Sequence, residues 1–276
     1  MGKIKEALGW KILRDILLAC GLVLILFPLY LVLINSFKTL DEAGKNFFAL
    51  PSGLNFGNFK ELFTNSNYWI FLKNSFKISV VSVLLILTFV PSVSFSIARN
   101  FEKRYYKSIY YYLLMGLFIP SQVIMLPVTK MMTKLNMLNH TGLIILYSAF
   151  SLTQGVFLFV NYIRGLPYEI EESAYIDGCS VFQTYVKIVL PLVKPMIATL
   201  LIMDALWIWN DYLLPYLILA RPATIPLSQM YFYGQYNQQW NLIMAGFVVS
   251  TLPVVVFFLC MQKHVINGIA AGAVKG

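Results

Sequence analysis

Long apolar runs alternate along this chain with short, charged breaks. Residues 16–37, 78–98, 108–129 and 141–163 contain no charged side chain at all. A fifth run, 196–220, is interrupted by Asp204 and Asp211, and a sixth lies at 242–262. A helix needs about 20 mainly apolar residues to cross the hydrocarbon core. Lipid offers no hydrogen-bond partners, so a spanning backbone must satisfy itself within its own segment. The pattern therefore predicts an all-α integral membrane protein with six transmembrane helices, at about 13–37, 76–98, 108–129, 141–163, 195–220 and 242–263. They form a single transmembrane domain over residues 1–276. The polar–apolar alternation of a membrane β-barrel is absent. Two connections stand out: 38–75, too long for a simple turn and carrying Pro51-Ser52-Gly53, and 164–194, the most polar part of the chain.

Composition agrees with this pattern. Hydrophobic residues make up 59% and charged residues 12% of the 276 positions, whereas a soluble domain carries about 25% charged residues. The formal charge of +9 sits in short clusters between apolar runs, which suits lipid headgroups and topology signals rather than nucleic acid. With the N-terminus inside, Lys3, Lys5, Lys11, Arg14, Arg99, Lys103, Arg104 and Lys107 all fall on the cytoplasmic side. Lysine and arginine near the first helix ends dominate orientation, so both termini are expected to be cytoplasmic. The loop 38–75 is then extracytoplasmic and 164–194 cytoplasmic. The first apolar run is longer than a signal-peptide core and lacks a small-residue cleavage site, so it is read as a retained span.

Negative features narrow the chemistry. Cys20, Cys179 and Cys260 have no paired spacing, and His140 and His264 stand alone, so no metal site, cofactor or disulfide framework is expected. No GxxxxGK[ST] phosphate loop occurs. Any ATP hydrolysis must come from another subunit, and the chain is not expected to be an enzyme.

The polar loop reads LPYEIEESAYIDGCSVFQTYVKIVLPLVKP from Leu166. Pro167 suits a first helical turn, and Glu169, Glu171 and Glu172 sit where the positive end of the helix dipole favours anions. Gly178 can take the left-handed conformation that ends a helix. A second helical segment is predicted from 181 to 189, with Pro191 and Pro195 marking the exit to the fifth span. On these residues alone, the first segment is either a solvated, well-capped surface helix or a docking element.

Glu171-Glu172-Ser173-Ala174, then Asp177-Gly178, then Ile188-Val189-Leu190-Pro191 resembles the EAA motif of bacterial ABC importer permeases. Ser173 and Cys179 stand where that family often has alanine, and both are small. Phe118-Ile119-Pro120 with Gln122 and Pro127, then Leu138-Asn139 and Gly142, is similar to the third-to-fourth span region of carbohydrate permeases. Trp209-Asn210-Asp211-Tyr212-Leu213-Leu214-Pro215 resembles a stretch in their fifth span, and the end from Ala270 to Gly276 resembles the tail of the maltose-type inner permease subunit. The resemblance implies the type I ABC importer permease fold in the bacterial plasma membrane. It also implies a coupling helix carrying Glu171, Glu172, Ser173, Ala174, Asp177 and Gly178 that seats in a cleft of an ATPase dimer. A second permease subunit, expected to be a different chain, and an extracytoplasmic sugar-binding protein complete the assembly.

Charges in mid-membrane usually face a bundle interior or cavity. Asp204, Trp207 and Asp211 share one face of the fifth helix, with Asn210 beside them, and Tyr147, Ser151 and Gln154 recur at helical spacing in the fourth. These residues either line a solute path or join helices by polar bonds. The last outer loop carries Tyr231, Tyr233 and Tyr236. They serve either as interfacial aromatics or, by the resemblance, as contacts to the binding protein. The competing reading is an ion-gradient carrier with Asp204 and Asp211 as ion sites. It lacks a visible internal repeat and leaves the acidic loop helix unexplained.

Overall fold

The computed structural model describes residues 2–64, 68–221, 223–232 and 239–273, with side chains at 10–64, 68–221, 223–230, 232 and 239–262. All regular structure among the described residues is helical. Among the described residues four helices are long and apolar enough to span a membrane, and two sharply bent helix pairs raise the number to six if each pair is one span. Contacts divide the chain into two compact units, residues 1–69 with 229–253 and residues 70–228 with 254–276.

The first unit contains α1 (Gly2–Ser36), α2 (Leu40–Lys45), α3 (Gly57–Thr64), the start of α4 (Tyr68–Arg99) and the first part of α14 (Trp240–Ala273). Beside buried apolar residues such as Leu62 and Leu242 it holds a buried polar cluster. The Asn35 amide donates to the carbonyls of Leu31 and Phe47 at 2.8 and 2.9 Å. The Lys38 ammonium donates to the carbonyls of Asn46 and Phe47 at 2.9 and 3.2 Å. The Asn58 amide donates to the Ser36 and Lys38 carbonyls, both at 2.8 Å, and its oxygen accepts from Asn241 at 2.8 Å. A connection this short of regular structure leaves many backbone carbonyls unpaired, and buried carbonyls need donors. The side chains of Asn35, Lys38 and Asn58 supply them. Burial lowers the Lys38 pKa, with Glu42 acting in the opposite direction. A Thr39–Glu42 capping box starts α2.

In the second unit α7 (His140–Arg164) is the central element. It packs against α5 (Arg104–Met115), α11 (Lys194–Asn210) and α12 (Leu213–Ile218). Leu143, Tyr147, Val156, Phe159, Val160 and Ile163 on α7 are fully buried. A Cβ on Gly155 would lie 2.7 Å from Val90 Cγ1 of α4, so glycine is what permits the two helices to approach this closely.

Two predicted spans are broken. In the region of the predicted third span, 108–129, α5 and a 3-10 turn at Gly116–Phe118 meet α6 (Ser121–Lys134) at a bend of 108°. Pro120 has no backbone N–H and forces its predecessor away from helical angles, and Ile119 is extended at φ −90°, ψ 116°. The fifth span likewise stops at Asn210, where Asp211 turns extended before α12 begins. The segment leading into it comprises α9 (Val181–Thr184), a π-helical turn at Tyr185–Val189 and α10 (Leu190–Leu192), and it meets α11 at 73°. The sixth helix, α14, continues from Trp240 to Ala273, and Val274, Lys275 and Gly276 of the predicted tail lie outside the described residues.

Candidate functional site: a polar seam and a capped loop helix

The two polar stripes meet as a seam between α7 and α11. The Ser151 hydroxyl donates to Asp204 at 2.8 Å, and the Tyr147 hydroxyl donates to Asp211 at 2.9 Å. The Trp207 ring stands edge-on to Tyr147, with centroids 5.3 Å apart and planes at 86°. Asp211 also accepts the Leu213 backbone N–H at 3.0 Å, so one carboxylate holds α7 and starts α12. Tyr147, Ser151 and Asp204 are buried, whereas Trp207, Asn210 and Gln154 are exposed. The Asn210 amide folds back onto the Leu206 carbonyl of its own helix at 2.8 Å. Lipid tails are as apolar as the helices, so no hydrophobic effect joins them, and interhelical polar bonds contribute about 0.6 and at most about 1.7 kcal/mol each beside close packing. The seam therefore has a structural use, and Trp207, Asn210 and Gln154 are the exposed members of the two stripes.

The loop helix α8 (Glu169–Ile176) separates its acids by orientation. Glu171 and Ala174 are buried, while Glu172, Ser173, Asp177 and Gly178 are exposed. The helix starts two residues after Pro167, with Tyr168 as its first carbonyl acceptor, for the N–H groups of Glu171 and Glu172. The Ser173 hydroxyl bonds the Glu169 carbonyl at 2.8 Å. At the other end Gly178 has φ +84°. Its N–H bonds the Tyr175 carbonyl and the Cys179 N–H bonds the Ala174 carbonyl, which is the Schellman pattern. Ser180 and Gln183 form a capping box that restarts the chain as α9. Tyr175 has its phenol pKa raised, first by burial and then by the Glu171 carboxylate.

Sequence reasoning left one residue out of this site. Arg99, read only as a topology charge, places Nε 2.8 Å from Glu171 Oε1, and its Nη2 contacts the same oxygen. No local pattern marks a pair 72 positions apart. Of the outer-loop tyrosines, Tyr233 and Tyr236 lie outside the described residues, and Tyr231 is described only in its backbone.

The pattern defining the binding-protein-dependent transport system inner membrane components matches residues 91–270, from mid-α4 through the seam, the loop helix and most of α14. The chain belongs to this family. It is thus a membrane-spanning permease subunit of an ABC importer rather than an ion-driven carrier. It is 42% identical over 274 residues to the multiple sugar-binding transport system permease protein MsmG of Streptococcus mutans, covering 96% of each chain. It is 39% identical to AmyC of Thermoanaerobacterium thermosulfurigenes, named as a probable starch degradation products transport system permease, over 92% of this chain and 94% of that one. Among solved structures, a bacterial ABC transporter involved in importing the acidic polysaccharide alginate matches with a TM-score of 0.79. The match covers 92% of this permease and 95% of that chain at 23% identity, and shows a shared fold.

Proposed function

We propose that this permease carries a sugar or oligosaccharide, delivered by an extracytoplasmic binding protein, and that a separate ATPase dimer drives it through α8. The observation that carries the sugar assignment is full-length similarity to relatives named for sugars and starch products. In this reading residues 164–194 are the cytoplasmic coupling loop, 38–75 the extracytoplasmic loop, and a second permease subunit completes the channel.

The exposed face of α8, with Glu172, Ser173, Asp177 and Gly178 beside Ile176 and Phe182, is the part that docks. Buried Glu171 and Ala174 hold that face in place. Closure of the ATPase moves α8, and the bundle changes between inward- and outward-facing states because ATP and the loaded binding protein each favour one of them. Trp207, Asn210 and Gln154, the exposed members of the two stripes, offer a flat ring and amide groups, the combination a sugar site uses. Tyr231, Tyr233 and Tyr236 would meet the binding protein on the outer side.

Affinity purification of the tagged permease from mild detergent, with identification of co-purifying chains, tests this reading. An ATPase is expected with the wild type and should be lost from Glu172→Ala combined with Gly178→Val. Recovery of the wild-type chain alone across several detergents would remove the ATPase-docking role.

A further inference from the structure

The helix α4 is anchored by side chains at both of its ends, and the two anchors fall on parts of the second unit with different tasks. At the C-terminal end, the Arg99 guanidinium holds Glu171 of α8 through Nε and Nη2 and lies 5.6 Å over the Tyr168 ring. Both charged side chains are shielded, at 14% and 2% exposure. The other carboxylate oxygen, Glu171 Oε2, is buried with no hydrogen-bond partner among the described residues, and among them Arg99 is the ion-pair partner of this buried acid. A buried charge stripped of its partner is strongly unfavourable, which disfavours separating the pair when either helix is displaced. Nearby, Arg164 at the end of α7 lies 4.0 Å over the Phe101 ring, which fastens the corner after α4.

Near its N-terminal end, α4 holds the segment that leads into α13 (Ile225–Ser228). The Asn74 amide donates to the Ala223 carbonyl at 3.0 Å, and the Ser75 hydroxyl accepts the Ile225 N–H at 2.9 Å. Between these anchors α4 is continuous helix, with Val90 against Gly155 of α7. Its 32 residues span about 48 Å at about 1.5 Å per residue, enough to cross the bilayer.

We propose that the Arg99–Glu171 pair is a positioning contact that makes α4 a strut, carrying displacement of α8 across the membrane to the Ala223–Ile225 segment at the start of the last outer loop. This rests on the reading of α8 as the ATPase-docking helix. Covalent continuity through α9–α11 moves α8 with the fifth span in any case. The ion pair adds a second, separate route that reaches the outer side.

The test uses the whole complex, with second permease and ATPase, in lipid nanodiscs. It measures ATP hydrolysis with and without loaded binding protein, and solute moved per ATP in vesicles. With Arg99→Met, read only on complexes that retain the ATPase, stimulation by the binding protein and solute moved per ATP should each fall about tenfold, within the range of allosteric couplings. The exchanged pair, Arg99→Glu with Glu171→Arg, should recover much of both relative to Arg99→Glu alone. Ser75→Ala, at the far anchor, should lower stimulation with Arg99 intact. If Arg99→Met does not assemble, Arg99→Lys, which keeps the charge and loses the two-nitrogen fork, is read on the same scale. Wild-type stimulation in the Arg99 variant, or an exchanged pair no better than the single reversal, overturns the strut. Absence of ATPase from the wild-type complex would instead sink the docking reading.

Discussion

The helices α1 and α7 are both apolar enough to cross a membrane, yet they meet their surroundings in opposite ways. In α1 every residue from 10 to 30 is exposed, whereas half of the spanning window of α7 is buried within the chain. Apolarity does not separate them. What α7 carries and α1 lacks is a line of Tyr147, Ser151 and Gly155 at four-residue spacing, two hydroxyls and a gap on one face. From 16 to 34, α1 offers Tyr30 as its one hydroxyl. In lipid, hydrocarbon gains little by touching hydrocarbon, so close approach and polar bonds decide which helix lies inside. The comparison teaches that apolar length identifies a span, and small or polar residues at helical spacing identify its neighbours.

The sharpest way to break the comparison is to close the gap on α7. Gly155→Leu would drive a side chain into Val90, and overpacking costs about 1–3 kcal/mol. The expected outcome is a clear drop in the thermal midpoint of the detergent-solubilised permease, and an unchanged midpoint would show that α4 and α7 have room to spare. A smaller effect is expected from Asp211→Ala, which removes the acceptor of Tyr147 and the start of α12. One interhelical bond is worth about 0.6–1.7 kcal/mol, so the complex should assemble while uptake falls. Normal uptake would take Asp211 out of the mechanism. The smallest effect belongs to α1. Leu24 is 76% exposed, and Leu24→Ala should change the stability of the isolated chain by no more than about 0.5 kcal/mol, as surface substitutions do, and leave its midpoint close to wild type. A larger loss in the assembled complex than in the isolated chain would reveal a protein neighbour on α1.

The charge-free runs were readable because each exceeds what a soluble core helix uses, and Gly178 because a Schellman cap needs a left-handed residue. The breaks were harder. Pro120 was visible, but an uncharged run on both sides of it looked like one span, and only the extended Ile119 reveals the bend. The seam was half legible. Spacing put Tyr147 with Ser151 and Asp204 with Asp211, but which hydroxyl meets which carboxylate, 53 and 64 positions away, depends on how the two helices are set against each other. The three glutamates of α8 were indistinguishable in sequence, since helix periodicity says nothing about which face an arginine from a distant helix will claim. Glu171 is set apart from Glu172 by its burial and by its ion pair with Arg99.

The buried Lys38 has a consequence for how the permease is felt from a distance. Its ammonium is enclosed by the carbonyls of Asn46 and Phe47, and only 1% of the residue meets solvent. Mobile ions gather around charges they can approach, and a charge sealed under protein is screened far less by them. Of the formal +9, one unit therefore belongs to the interior of a loop rather than to the surface. Anionic headgroups and acidic solutes arriving at this side of the molecule respond to Lys45 and Lys60, and raising the salt concentration weakens their pull while leaving the grip of Lys38 on its loop almost untouched.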